Sequence, residues 1–303
     1  MKITITGGSG FIGRYLVELL HKKHDITVFD TSKTQFNDVK FIKGDITDSK
    51  SVDTAIKNSD AVIHLAATLG VINTEKNPVK TLDVNIFGTK NVLEACKNNC
   101  VKKVIFSSSS EVYGEPIKIP IKESDKVIPI TNYGISKLAA EEYIKAYSKK
   151  FGIGFTILRL FNVFGEEQQN QWVMSEFVSR SIKNQEIIIH GTGSQVRAFC
   201  HVSDAARCFE IVLEKGDNEI FNIGNDTEPI SIKELAQRII SLSDSKSIIK
   251  SISFEKSDRD RSEIMTRAPS IEKARQILGY QPKVSLNEGI KKVIKKKMED
   301  LTN

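Results

Sequence analysis

Along the first 160 residues, short β-branched runs alternate with longer stretches whose apolar residues recur at helical spacing. The strands read as Lys2–Thr6, Ile26–Asp30, Lys40–Lys43, Ala61–Leu65, Lys103–Ser107 and Phe155–Leu160. Between them, helices are expected over Phe11–His21, Ser49–Lys57, Val79–Asn98 and Tyr133–Lys150. Such alternation is what βαβ units produce, and it predicts an α/β fold, a doubly wound parallel sheet of the Rossmann type.

After Phe164 the rhythm changes to polar EEQQNQ, a helix near Val173–Lys183, and short strands at Ile187–His190, Phe199–His201 and Ile220–Ile223. Helical spacing returns at Ile232–Ser241, Ile271–Leu278 and Leu286–Lys297. The expected organisation is a dinucleotide-binding domain over 1–164 and a smaller mixed α/β substrate lobe over 165–303, some of whose segments return to the first domain. The terminal KKVIKKK run is read as the solvated face of a helix that docks Val293 and Ile294 on the core.

Composition narrows the function classes. The 303 residues carry 44 Lys plus Arg against 38 Asp plus Glu, a net +6, and 40% are hydrophobic. This is ordinary globular usage, and the aromatic residues are not interleaved with lysines as on a nucleic-acid surface. A small anionic ligand accounts for the surplus equally well. Cys96, Cys100, Cys200 and Cys208 form neither a CxxC pair nor a zinc-finger spacing, so no metal site is expected and the thiols read as reduced. Glycines interrupt the apolar start before it resembles a signal peptide, and no run approaches the roughly 18 residues of a membrane span. A cytoplasmic protein with no nucleic-acid or membrane partner is expected.

Gly7, Gly10 and Gly13 form a G-x-x-G-x-x-G frame between the first strand and the first helix. Glycine there allows a tight turn and lets a diphosphate approach the backbone and the helix N-terminus. Asp30 ends the second strand about twenty residues on, where a carboxylate can accept both hydroxyls of an adenosine ribose and repel a 2′-phosphate. NAD is thereby favoured over NADP, although Lys33 softens the preference. Asp45 lies after the third strand, either facing the ligand crevice or capping the next helix.

Tyr133 and Lys137 are four apart at the start of a helix and share a face. An ammonium beside a phenol favours the phenolate, which can then remove a proton from a hydroxyl. Such a spacing is common on helix surfaces, so context matters. The Ser107-Ser108-Ser109-Ser110-Glu111 run follows the fifth strand at the same sheet edge, either as a hydroxyl partner in proton transfer or as a turn.

Together GGSGFIG, GDITD, HLAA, DVNIFGT, SSSSEVYGE, YGISK, LRLFNVFG, GTGSQVRAFCHVSD and NIGN resemble the extended short-chain dehydrogenase/reductase family, specifically its NAD-dependent nucleotide-sugar epimerases and dehydratases. The resemblance implies that Gly7, Gly10, Phe11, Ile12 and Gly13 cradle the NAD diphosphate, Asp30 holds the ribose, and Asp45 with Ile46 brackets adenine. Ala66 and Ala67 would pack along the cofactor, Asn85 would tie neighbouring strand ends, and Lys137 would also bond the nicotinamide ribose. Tyr133 would be the catalytic base and Ser109 its hydroxyl partner. Asn162 and Arg197 would hold the substrate diphosphate, with Arg259 and Arg261 as candidates for a late arginine, although the usual R-x-G-D pattern is absent.

The same resemblance implies oxidation of a sugar C4 hydroxyl to a ketone. Glu111 is the discriminating residue, as a base at sugar C5 or as a charge on the pocket rim. The expected reaction is that of a UDP-hexose 4-epimerase, with a 4,6-dehydratase or UDP-glucuronate-type decarboxylase using Glu111 as the alternative and a non-catalytic NAD-binding sensor as the third. Residues 166–173 are expected to line the sugar site. The helices Val79–Asn98 and Tyr133–Lys150 are expected to pair with a second copy in a four-helix homodimer interface.

Overall fold

The computed structural model describes residues 1–70, 74, 76–253 and 264–302. The first half runs β1 (Lys2–Thr6), α1 (Phe11–Leu20), β2 (Asp25–Asp30), β3 (Lys40–Lys43), α2 (Ser49–Ile56), β4 (Ala61–His64), α3 (Pro78–Leu82), α4 (Gly88–Asn98), β5 (Lys103–Ser109), α5 (Asn132–Phe151) and β6 (Gly154–Leu160). The second half runs β7 (Val163–Phe164), α6 (Val173–Ser181), β8 (Ile187–His190), β9 (Val196–Ala198), β10 (Cys200–His201), α7 (Val202–Ile211), β11 (Glu219–Ile223), β12 (Pro229–Ser231), α8 (Ile232–Leu242), β13 (Ile249–Ile252), β14 (Thr266–Arg267), α9 (Glu272–Leu278) and α10 (Leu286–Thr302).

Seven strands form one parallel sheet in the order β11-β6-β5-β4-β1-β2-β3. Helices cover both faces, so central strands are largely buried, as all four residues of β4 are. One face packs Ile3, Ile5, Leu16, Val17 and Leu20 with Phe209, Phe221 and Tyr280 from late in the chain. The other joins Val62, Val104 and Phe106 to Val92, Leu93, Ala140 and Ile144. Each such side chain contributes about 1.5–3 kcal/mol by leaving water. A separate core holds the second lobe, where Phe177, Val178, Leu235, Ile239, Ile290 and Val293 meet. Among the described residues, no helix is long and apolar enough to cross a membrane, and no cluster of His, Cys, Asp and Glu could hold a metal ion.

Several elements differ from the pattern. The expected helix Val79–Asn98 is broken by a π-helical turn over Asp83–Phe87, which leaves Phe87 exposed and turns Asn85 inward to 2% exposure. The fifth strand runs two residues further than the expected Lys103–Ser107, because Ser108 and Ser109 continue to pair with Arg159 and Leu160 on β6. Only Ser110–Tyr113 form the turn. The strand expected at Phe199–His201 shortens to β10, and β9, an additional strand just before it, joins a different small sheet. The segment Ile220–Ile223 lies within β11, the edge strand of the large sheet beside β6.

Candidate active site

The sheet order reverses between β1 and β4, which opens a crevice at their carboxyl ends. The glycine turn occupies it. Gly7 has φ +73°, and a Cβ there would lie 2.7 Å from the Ala66 backbone nitrogen, so the turn is pressed against the end of β4. A Cβ on Gly13 would lie 2.3 Å from the Gly7 carbonyl, so α1 and β1 could not approach as they do.

Gly10 is different. It is exposed, and a Cβ there would meet only the Gly7 carbonyl oxygen, at 3.2 Å. It also occupies the cap position of α1 with no side chain bonding the first-turn N–H groups. The neighbouring Ser9 hydroxyl is buried without a partner, and the Ser9 N–H donates to Asp30 Oδ2 at 3.0 Å. An uncapped helix start, an orphaned hydroxyl and space at Gly10 together fit a diphosphate laid against the turn. Phe11 and Ile12 open the helix beside it.

Asp30 ends β2 half-buried, its other oxygen taking the Ser32 N–H at 2.9 Å. Asp45 does not cap α2, since Asp48 does so by accepting the Lys50 N–H. Asp45 instead accepts the Thr47 N–H and hydroxyl in a local turn, and remains exposed. The Ile46 side chain is in the core, touching Gly88 so closely that a Cβ there would fall 2.5 Å away. Ala66 and Ala67 line the loop after β4. Asn85 accepts the Thr68 N–H at 2.8 Å and donates to the Ser136 hydroxyl at 2.9 Å. It ties the β4 loop to α5 rather than one strand end to another.

The α5 face meets the end of β5. Thr131 caps α5 by accepting the Gly134 N–H at 2.9 Å. Lys137 is 3% exposed, donates to the Ser107 carbonyl at 2.7 Å, and lies 4.7 Å from the Phe106 ring centroid and 5.7 Å from that of Tyr133. Burial brings its pKa down to about 7, with Glu141 working upward. Burial and the Glu111 carboxylate push the Tyr133 phenol up, while its hydrogen bond with Ser109 and the Arg267 charge pull it down. The protein groups therefore leave this phenol above its ordinary value, contrary to the lowering expected from a neighbouring ammonium alone. His64 is held neutral: burial brings it down to about 3, and it bridges the Thr6 and Thr89 hydroxyls at 2.7 and 3.0 Å.

Glu111 has both oxygens engaged. The Thr131 hydroxyl donates to one at 2.8 Å, and the Arg267 guanidinium approaches the other at 3.4 Å. Arg267 was not among the expected arginines. β14 pairs in parallel with β9 so that Arg267 lies beside Arg197, which is 5% exposed and donates to the Val196 and Met265 carbonyls. The Arg267 Nε is buried with no partner. Asn162, at φ +38°, donates to the Ala198 carbonyl at 3.4 Å, next to Arg197. Arg259 and Arg261 lie outside the described residues. In the 166–173 stretch, Glu166 takes the Tyr15 hydroxyl at 2.8 Å and His201 at 3.1 Å, which pins this loop to α1 and β10. Trp172 begins α6.

The structure thus brings Ser109, Tyr133, Lys137 and Glu111 together, and links them through Arg267 to Arg197 and Asn162. A sheet crevice fit for a dinucleotide, with half-buried Ser109 and Tyr133 beside the buried Lys137 at the same edge, defines an enzyme that acts on a hydroxyl with a nicotinamide cofactor.

Comparison with known proteins agrees. Residues 3–224 match the NAD dependent epimerase/dehydratase family. A provisionally named UDP-glucose 4-epimerase of Methanocaldococcus jannaschii is 38% identical, covering 96% of this chain and 97% of its own. A UDP-N-acetyl-alpha-D-glucosaminuronate decarboxylase of Bacillus cytotoxicus is 34% identical over 96% and 95% of the two chains. The UDP-glucose 4-epimerase of Thermotoga maritima, solved with UDP-glucose, superposes with a TM-score of 0.91 at 30% identity, covering 99% of this chain and 100% of that one. The chain belongs to the NAD-dependent epimerase/dehydratase family and is an NAD-dependent nucleotide-sugar enzyme.

Proposed function

We propose that the chain is a UDP-hexose 4-epimerase that works through a transient 4-keto sugar. The observation that carries this reading is the engagement of Glu111. With one oxygen on Thr131 and the other on Arg267, the carboxylate braces the cap of α5 and the substrate lobe instead of standing free as a base toward sugar C5. Epimerisation needs no such base. Bound NAD supplies a hydride acceptor at the nicotinamide and a positive charge beside the phenol.

Tyr133 takes the proton from the C4 hydroxyl, with the Ser109 hydroxyl sharing it, and returns it after the ketone has presented its other face. Lys137 is anchored on the Ser107 carbonyl and stabilises the phenolate. Gly7, Gly10, Gly13, Asp30, Asp45, Ala66 and Ala67 form the cofactor side. Arg197, Arg267 and Asn162 form the diphosphate side, where guanidinium groups match phosphate oxygens.

A second reading rests on Arg267. Its unpartnered Nε beside Glu111 suits a carboxylate at sugar C6, as in a UDP-uronic acid, whose 4-keto form loses carbon dioxide. Incubation with UDP, GDP, dTDP and CDP sugars followed by mass and NMR analysis tests both readings. Epimerisation preserves mass, dehydration loses water and decarboxylation loses carbon dioxide. Glu111→Gln should retain most activity in an epimerase, and its near-total loss would refute that reading.

We further propose a homodimer built on α3, α4 and α5. Val79 is 70% exposed, Phe87 55% and Ile135 44%, an apolar surface that a second copy of these helices would cover. Light scattering of wild type against Val79→Glu/Phe87→Glu tests it, with a monomeric wild type as the overturning result.

A further inference from the structure

Behind the Ser–Tyr–Lys set lies a charge pair with no part in the steps above. Glu141 follows Lys137 by one helical turn on α5, and Arg159 faces it from β6; their side chains are 0% and 4% exposed. Arg159 Nε donates to Glu141 Oε1 at 3.0 Å and Nη2 donates to Oε2 at 2.7 Å. Arg159 Nη1 donates to the Tyr113 hydroxyl at 2.9 Å, which in turn donates to Asn222 Oδ1 at 2.7 Å. A buried ion pair often stabilises no more than apolar residues of equal volume would, so stability alone does not explain its placement.

The end of β5 supplies an explanation. The Ser108 hydroxyl donates to Glu141 Oε1 at 2.5 Å. On one side of Ser108, the Ser107 carbonyl accepts from Lys137 at 2.7 Å, and on the other the Ser109 hydroxyl is close enough to the Tyr133 phenol to lower its pKa. Successive strand residues face opposite sides of a sheet, so a peg at Ser108 fixes the pitch of its two neighbours. The pair therefore grips the one residue between both contacts.

We propose that Glu141 and Arg159 are positioning residues for the Tyr133 and Lys137 chemistry. Through Ser108 they hold the end of β5 on which both groups rest, and the Glu141 carboxylate is the buried counter-charge of Lys137. This rests on the reading of Tyr133 and Lys137 as the proton-transfer pair. The titratable groups facing Lys137 are His64 from β4, held neutral, and Tyr133 and Glu141 from its own helix. Facing Tyr133 are Glu111, and Arg267 from β14. Glu141 is the group that raises Lys137, so removing its charge lets the ammonium lose its proton at lower pH.

The test uses the NAD-loaded protein and two readouts. The Lys137 titration is taken from the Cε carbon NMR shift, assigned against Lys137→Arg, and turnover is followed with UDP-glucose. In Glu141→Gln the Lys137 titration should move down by about one pH unit and kcat should fall about tenfold, with KM within about twofold. Glu141→Gln/Arg159→Met leaves no lone buried charge and should show the same shift. Ser108→Ala keeps the pair and removes the peg, and should lower kcat several-fold while the titration stays in place. An unmoved Lys137 titration in the Glu141 variants, or full activity in Ser108→Ala, would overturn the proposal. Failure of the wild type to turn over UDP-glucose would count against the substrate reading alone, because the titration requires no turnover.

Discussion

The two ends of the crevice are built in opposite ways. The proposed cofactor end comes from one short stretch, Gly7 to Gly13, plus a single carboxylate at the end of the next strand, and it offers mainly backbone N–H groups and absent side chains. The proposed substrate end is assembled from three distant segments, the amide Asn162 after β6, Arg197 on β9 and Arg267 on β14, with the two arginines set beside each other by strand pairing. A diphosphate bound at the first end would meet backbone dipoles, and one at the second would meet full guanidinium charges already held by protein partners. The proposed catalytic set is tied to the second end, since Glu111 bonds the cap of α5 and also pairs with Arg267.

That difference predicts how variants should separate. The largest effect falls between the two ends: Tyr133→Phe should lower turnover by about 10²–10⁴-fold while NAD binding, read by fluorescence titration, is unchanged. Retained activity would remove the phenol from the chemistry. At the substrate end, Arg267→Met should raise KM for the nucleotide sugar by about 10–100-fold, the equivalent of one charged hydrogen-bond set, with NAD affinity intact. At the cofactor end, Gly10→Val should weaken NAD about tenfold or more with little loss of stability, since its Cβ meets only one protein atom. If the Arg267 variant lost NAD, or the Gly10 variant lost only sugar affinity, the division into two ends would be wrong.

Gly7→Ala sharpens the contrast within one turn. It combines a φ of +73° with a 2.7 Å backbone contact, so thermal unfolding should show a loss of about 2 kcal/mol or more before any ligand is added. A further effect concerns acid stability. His64 is lowered to about 3 in the folded protein, so it stays neutral there while the unfolded chain takes up a proton below about pH 6.5. Its contribution is present above that pH and declines as pH falls toward 3, by about 1.4 kcal/mol for each unit. Denaturant titrations of wild type against His64→Gln between pH 7 and 4 should show a shallower acid-side decline in the variant.

How much of this was legible differs between the same two ends. The glycine frame, Asp30 and the pairing of Tyr133 with Lys137 each lie within one strand-turn-helix unit, where spacing dictates geometry. The serine run was placed at the right sheet edge but read as following the strand, because hydroxyl residues do not show the apolar pattern even when they pair in full register with β6. The π-helical turn around Asn85 was invisible for a similar reason: five residues with helical spacing fit either winding. Arg267 was passed over for Arg259 and Arg261 because nothing in the chain says which late segment pairs with β9.

The sequence by itself determined the alternation of strands and helices, the glycine turn with its acidic partner, and a Ser–Tyr–Lys set at one edge. These are local, set by backbone sterics and by the 3.6 and 2.0 periodicities of side-chain direction. The tertiary structure alone decided that β11 closes the large sheet, that Arg267 lies beside Arg197 and reaches Glu111, and that Glu141 and Arg159 grip Ser108 behind the catalytic pair. Those contacts join residues from about 20 to 156 positions apart, and their partners are chosen by which surfaces are buried together.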